Sequence, residues 1–199
     1  MNKKKQQTEQ TKKKIADASR ALFVQKGYKA TSIEDIVKAT GCSGGNIYYH
    51  FKSKEGLFLY LIEEWNREWE DTWLAKEPLY STTKDKLYGM AEHLALDQFN
   101  HPLTKAVDEF FNNSEKASEV EERINEMIQG YLNFNQQLLQ KGIDNGEFEI
   151  MNVSGLALIL DSLLYGLSQH SRRMKREEAL AAYKLAMDVF LHGIANPAH

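Results

Sequence analysis

Residues 31–57, TSIEDIVKATGCSGGNIYYHFKSKEGL, leave this chain fewer choices than any other stretch. Thr31 and Glu34 make a T-x-x-E capping box, so a helix begins at Ser32 or Ile33. Ile33, Ile36 and Val37 fall at i, i+3 and i+4 and give that helix one apolar stripe. Gly41 ends it, because the residue after a helix often takes a left-handed conformation that glycine reaches without a Cβ penalty. Ser43 caps a second helix at once, Gly44 to Phe51, leaving only Gly41 and Cys42 as the turn. Two short helices at this spacing form a helix-turn-helix, whose second helix lies in the major groove of DNA.

The second helix is not built for stability alone. Gly44 and Gly45 in its first turn cost up to about 1 kcal/mol each relative to alanine. A helix end that must press against DNA gains from having no side chain there. Asn46, Tyr48, Tyr49 and His50 supply hydrogen-bonding groups and flat faces, while Ile47 and Phe51 turn inward. Lys52 and Lys54 follow beside uncapped backbone amides, a phosphate-holding arrangement, and Ser53 caps a third helix. Charge is divided to match. Residues 1–54 carry 12 Lys/Arg against 4 Asp/Glu, whereas residues 55–199 carry 13 against 24, so a basic head sits on an acidic body.

These residues resemble the DNA-binding region of the TetR family of transcriptional regulators. The match lies at Thr31, Asp35-Ile36, Gly41, Ser43, Gly45, Tyr48 to Phe51, Ser53, Lys54, Glu55 and Leu57. Val37 and Cys42 depart from it by small apolar swaps. The resemblance implies a cytoplasmic regulator, most often a repressor, acting as a homodimer on double-stranded DNA with a palindromic operator. The expected DNA-facing set is Thr31, Ser43, Gly44, Gly45, Asn46, Tyr48, Tyr49, His50, Lys52 and Lys54. Within it, the family pattern gives Tyr49 and Lys54 to phosphate. Position on the first turns of the recognition helix gives Ser43, Gly44, Gly45, Asn46, Tyr48 and His50 to bases.

The rest of the sequence reads as helix throughout, so the fold class is all-α: a helix-turn-helix domain at 1–54 and a helical effector-binding and dimerisation domain at 55–199. Met1 to Gln10 is a Lys/Gln-rich tail, and the first helix runs from about Thr11 to Lys26. A long helix from Ser53 to about Glu77 carries Trp65, Trp69 and Trp73 at four-residue steps, and Pro78 ends it. Further helices are expected at about Thr83 to Phe99, at Pro102 (as first residue) to about Asn113, and from a Ser118–Glu121 capping box to near Asp144. Two more run from about Val153 to Ser171 and from Arg176 to Ala195. Val153 to Leu167 is greasy on more than one side, so it is buried on more than one side. The last two helices are therefore expected to pair with a second copy through Leu160, Leu164, Leu167, Met187 and Phe190.

The body also weakly resembles the QacR-type multidrug-binding repressors, at Trp69, Trp73, His101-Pro102-Leu103, Glu109-Phe110 and Asn145-Gly146-Glu147. That implies a small aromatic or lipophilic effector stacked on Trp69 near Gln98 and His101, and the residues of the same helices add Trp65, Glu92, Phe110 and Tyr131 to its expected contacts. Aromatic faces beside Glu63, Glu64, Glu92 and Asp108 suit a flat cation, although core packing explains the same spacing. Gln98 and His101 stand where those repressors use a glutamate and a tyrosine, which weighs against a strict cation preference.

Other chemistry has little support. Gly41 to Gly45 matches the G-x-S-x-G nucleophile elbow, but that motif needs a preceding strand and a sheet. The six histidines are scattered without metal-ligand spacing, and no glycine-rich loop follows a strand, so no metal or cofactor is expected. Cys42 as the single cysteine excludes an intrachain disulfide, and no signal peptide or stretch of ~20 apolar residues is present. The rival classes are an all-α enzyme, which lacks a catalytic constellation, and an architectural DNA protein, which would leave the acidic, aromatic body without a task.

Overall fold

Helix ends in this chain are set by side chains and glycines, and the computed structural model shows where. It describes the backbone of residues 3–112 and 118–193, with side chains except at 3–4, 98–100 and 118. The described residues are helical without a strand. The helices are α1 (Lys3–Lys26), α2 (Ile33–Thr40), α3 (Gly44–Phe51), α4 (Lys54–Lys76), α5 (Thr83–Asn100), α6 (Thr104–Phe111), α7 (Ser118–Asp144), α8 (Val153–Ser171) and α9 (Arg176–His192). A 3-10 turn, Glu77–Leu79, holds Pro78 at the end of α4. Helix α1 starts eight residues earlier than the charge-rich sequence led us to expect. The Ser118 cap and residues 194–199 lie outside the described side chains and backbone, respectively.

Two boundaries shift for identifiable reasons. Helix α2 is capped by Ser32, not Thr31: the Ser32 hydroxyl accepts from the Asp35 N–H at 3.1 Å, and the Asp35 carboxylate accepts from the Ser32 N–H at 3.1 Å. Pro102 lies in a turn before α6, which begins at Thr104 behind Leu103. Gly41 closes α2 in the left-handed region (φ 67°), with its N–H donating to the Val37 carbonyl.

The capping box has a measurable consequence. The Ser32 backbone N–H, then the Lys26 ammonium at 3.0 Å, hold the Asp35 carboxyl at about 2, below its ordinary 3.8. A carboxylate with a depressed folded pKa contributes stability that is fully present above the unfolded value and is lost as pH falls through the folded one. Thermal melts between pH 5 and pH 2 should therefore show a loss of stability from about pH 4 downward that Asp35→Asn flattens. An unchanged acid limb in that variant would remove Asp35 from the account.

The chain divides into two compact units. The first is Met1–Arg67 with Pro102–Ile124; the second is Glu68–His101 with Asn125–His199. This differs from a single cut between 54 and 55, because α6 and the start of α7 belong with the helix-turn-helix. In the first unit, Ile15, Phe23, Tyr28, Ile36, Ile47, Phe51, Leu57, Phe58, Leu61 and Phe110 form the buried core. Phe58 is its centre, with ring centroids 4.7 Å from Phe23, 4.9 Å from Tyr28 and 5.1 Å from Phe110. Glu109 fixes α6 to the turn after α1: its Oε2 accepts from the Lys29 N–H at 2.9 Å. That approach needs Gly27 (φ 86°), since a Cβ there would stand 2.6 Å from Glu109 Oε1.

In the second unit the end of α4, α5, the remainder of α7, α8 and α9 enclose a core that includes Trp73, Leu87, Met90, Leu138, Leu139, Phe148, Tyr183 and Leu191. Glu147 caps α5 by accepting from the Thr83 and Lys84 N–H groups at 2.9 and 3.1 Å. Tyr88 donates to the Asp188 carboxylate, tying α5 to α9.

Candidate functional site

Helix α3 turns two faces in opposite directions. Ile47 and Phe51 are buried in the first unit, four residues apart on one side. Asn46, Tyr48 and Tyr49 stand outward, the tyrosines 52% and 70% exposed. Ser43 is exposed and its hydroxyl accepts from the Asn46 N–H at 3.3 Å, which fixes the helix start. A Cβ built on Gly44 meets no atom within 4 Å, and one on Gly45 meets only Ser43 Oγ at 3.7 Å. The fold itself therefore has room for a side chain at both positions.

His50 is half-buried between Tyr49 and Phe51, with ring centroids 5.1 and 5.9 Å away. Burial, and then the nearby Lys12 ammonium, push its pKa below the ordinary value, so the ring is neutral near pH 7. Lys52 is exposed and takes a left-handed φ of 68°, while the Ser53 N–H donates across it to the Phe51 carbonyl at 2.8 Å. This γ-turn reverses the chain between α3 and α4, a conformation that costs a side-chain-bearing residue about 1–3 kcal/mol. Lys54 is half-buried: its Nζ lies 4.3 Å from the centroid of the Tyr28 ring, and burial lowers its pKa. Thr31 is corrected. It is buried, and its hydroxyl donates to the Gly27 carbonyl at 2.7 Å, so it supports the turn after α1 and offers nothing outward.

The expected effector contacts do not form one group. Trp65 and Phe110 fall in the first unit, and Trp69, Glu92, Gln98, His101 and Tyr131 in the second. Phe110 is corrected: it is buried against Tyr28 and Phe58 as part of the head's core. Glu92 is exposed on α5, and the Gln98 side chain lies outside the described ones. Trp65, His101 and Tyr131 are half-buried. Glu63 is bound bidentately by Arg123 (2.8 and 2.9 Å), and Glu64 accepts from Arg20 and Tyr60 at 3.1 and 2.7 Å. What the sequence did not single out is a ladder of rings in the second unit. Tyr80 lies 5.7 Å from Trp73, Trp73 lies 6.4 Å from Trp69, and Trp69 lies 5.3 Å from His93, all within 27° of parallel. Gly89 makes room for it, since a Cβ there would meet the Tyr80 ring at 2.2 Å.

Four of the five expected dimer residues are also corrected. Leu160, Leu164, Met187 and Phe190 are buried in the second unit's own core, and Leu167 packs against it. The apolar side chains left outside are their neighbours: Leu158 and Ile159 (each 56% exposed) and Tyr165 on α8, Leu185 and Val189 (68%) on α9. Both sides of α8 are greasy, as the sequence indicates, but the assignment of sides reverses. Among the described residues no group of His, Cys, Asp and Glu could hold a metal ion, and no helix is long and apolar enough to cross a membrane.

Comparison with known proteins places this geometry. Residues 15–61 match the family model for bacterial regulatory proteins of the tetR family, and residues 65–196 match that for the C-terminal region of QacR-like proteins. The HTH-type transcriptional regulator QacR of Staphylococcus aureus is 28% identical over 185 residues, 93% of this chain and 98% of that one. The fatty acid metabolism regulator protein of Bacillus subtilis is 29% identical over 136 residues, 68% of this chain and 69% of that one. Among solved structures, a TetR-family regulator from Mesorhizobium loti, 20% identical, has a TM-score of 0.76, covering 95% of this chain and 98% of its own. The regulator FadR from Bacillus subtilis in complex with stearoyl-CoA, 24% identical, has a TM-score of 0.73 and covers 91% and 98%. With matches that together span nearly the whole chain, this protein belongs to the TetR family of transcriptional regulators, DNA-binding proteins and not enzymes.

Proposed function

We propose that the protein is a cytoplasmic repressor that binds a palindromic operator as a homodimer and is released by a small lipophilic effector. The observation that carries the DNA half is the bare first turn of α3. Among the described residues nothing would obstruct a side chain at Gly44 or Gly45, so the fold gives no reason to accept their propensity cost, whereas a DNA surface does. Gly45→Ala should leave the protein as stable or stabler, by up to about 1 kcal/mol, and yet weaken its binding to the duplexes that the native protein selects from a random pool. A variant that gains stability and loses nothing in DNA binding would overturn the reading. A palindrome among the selected duplexes supports a dimer; a single half-site does not.

Phosphate contacts come from Tyr49, Lys52 and Lys54. The Tyr28 ring under the Lys54 ammonium restricts where that charge lies, so its phosphate contact is preorganised. Lys54→Ala should weaken binding to all sequences alike and reduce the salt slope by about one. If it changed which base is preferred, Lys54 would instead be a base contact.

The dimer forms through the exposed face of Leu158, Ile159, Tyr165, Leu185 and Val189. The effector site lies in the second unit. The QacR-like match over residues 65–196 and the likeness to a fold that takes stearoyl-CoA in a related regulator support an apolar ligand there. Release by tenfold requires about 1.4 kcal/mol of effector preference for the non-binding state.

A further inference from the structure

The ring ladder in the second unit contains donors that no described residue satisfies. Trp73 is 1% exposed, and neither its indole Nε1 nor that of Trp69 finds an acceptor within hydrogen-bond distance among the described residues. Beside both rings stands His93, its centroid 5.3 Å from that of Trp69 and 6.4 Å from that of Trp73, with its Nδ1 3.3 Å from Lys76 Nζ. An ammonium group can only donate, so Nδ1 accepts and His93 is neutral with its proton on Nε2. Nε2 is likewise buried, and the acceptor that faces the ring is the Trp69 main chain. Burial and then Lys76 keep the ring below its ordinary pKa; the Trp69 main chain and the Asp97 carboxylate, which oppose them, weigh less.

The polar lining of this ladder is therefore the two indole donors, the His93 ring and the Lys76 ammonium, with the Asp97 carboxylate acting on His93 more weakly than Lys76 does. Leaving a buried donor unpaired forfeits its hydration without replacing it. The two indole donors, on adjacent stacked rings, are a standing preference for an acceptor. The glutamates of α4 and α5 that the sequence offered to a cationic ligand are committed or turned away. Glu63 and Glu64 are held by arginines in the first unit, and Glu92 faces solvent. Phe134 closes the ladder edge-on, 6.3 Å from Trp69 at 79°.

We infer that this ladder takes a flat apolar effector carrying a carboxylate, its body against the rings and its oxygens toward the indole N–H groups and Lys76. The inference rests on the effector reading above and adds its chemical class, opposite in charge to a lipophilic cation.

Three probes with one ring system test it: 2-naphthoate, 2-acetonaphthone and 2-naphthyltrimethylammonium, titrated by calorimetry into the full-length protein. The expected order of affinity is carboxylate, then ketone, then cation. Lys76→Met keeps the aliphatic stem and should lower 2-naphthoate affinity about tenfold while leaving 2-acetonaphthone within twofold. A merely structural role for Lys76 would move both probes together, and that result overturns the assignment. Trp73→Phe, which keeps a ring and removes the N–H, should weaken both oxygen-bearing probes and not the cation. Cation binding equal to or tighter than naphthoate sinks the proposal, as does the absence of binding by all three, which would make the ladder dry core. A gel shift on the selected duplexes separates the two layers. Naphthoate that binds without releasing DNA disproves the effector reading alone, and a cation that binds better and releases DNA disproves only the ligand class.

Discussion

Changing Ile159 and Val189 together to glutamate should convert the protein to a monomer and lower its affinity for a palindromic duplex by about 10²–10⁴-fold. Both side chains are more than half exposed, so the substitutions cost the protomer little. In a dimer the same positions would place carboxylates in an apolar interface, where an unpaired charge is not tolerated. Once the pairing is lost, the two recognition helices no longer bind as one ligand, and the second contact loses its effective concentration. Sedimentation analysis gives the oligomeric state, and gel shifts on a full palindrome and on one half-site give the affinities. The half-site affinity should not change. A charge at Leu160 or Leu164 should behave differently: both are in the protomer's core, so the expected result is unfolding and not a folded monomer. A double variant that stays dimeric would place the interface elsewhere.

Phe58→Ala should cost about 3–5 kcal/mol, the usual price of removing a buried aromatic ring. Such a loss is a large part of the roughly 5–15 kcal/mol that keeps an ordinary domain folded. Phe58 is fully buried and touches the rings of Phe23, Tyr28 and Phe110, which arrive from α1, the turn after it, and α6. Its removal opens a void bordered by three separate elements, and little can collapse to fill it. Urea denaturation should show the midpoint moving to lower denaturant, with DNA binding lost at temperatures where the native protein binds fully. Phe58→Leu, which keeps much of the volume, should cost less. If Phe58→Ala unfolded with an unchanged midpoint, the ring cluster would not be the centre of the head.

How much of this could be read from the chain depends on how local the cause is. Gly41, Ser43 and Ser53 act within four residues, so the turn and the starts of α3 and α4 were legible. Ser32 and Thr31 are both competent caps one residue apart, and the choice between them was settled by Gly27, whose carbonyl takes the Thr31 hydroxyl. Periodicity marked α8 as apolar on two sides but contained no information on which side meets α9 and which is left outside. The aromatic residues of α4 were visible as a stripe. Their neighbours were not, because Tyr80, His93 and Phe134 come from three other segments and meet Trp69 and Trp73 only through folding. The same distance in sequence hid Phe110, which reads as a body residue and serves the head.

The hold of Glu109 on the Gly27–Lys29 turn bears on how this protein can be cut into pieces. A fragment ending at Arg67 contains the whole helix-turn-helix and nothing of α6. It would leave the Lys29 amide without its carboxylate and uncover the sides of Tyr28 and Phe58 that Phe110 covers. Such a fragment carries every residue proposed to face DNA and still lacks part of its own interior. An excised head would therefore be sticky and prone to self-association, and its DNA affinity would be a poor measure of the native one. An isolated head for binding work must include residues 102–124, joined by a linker or supplied as a second chain.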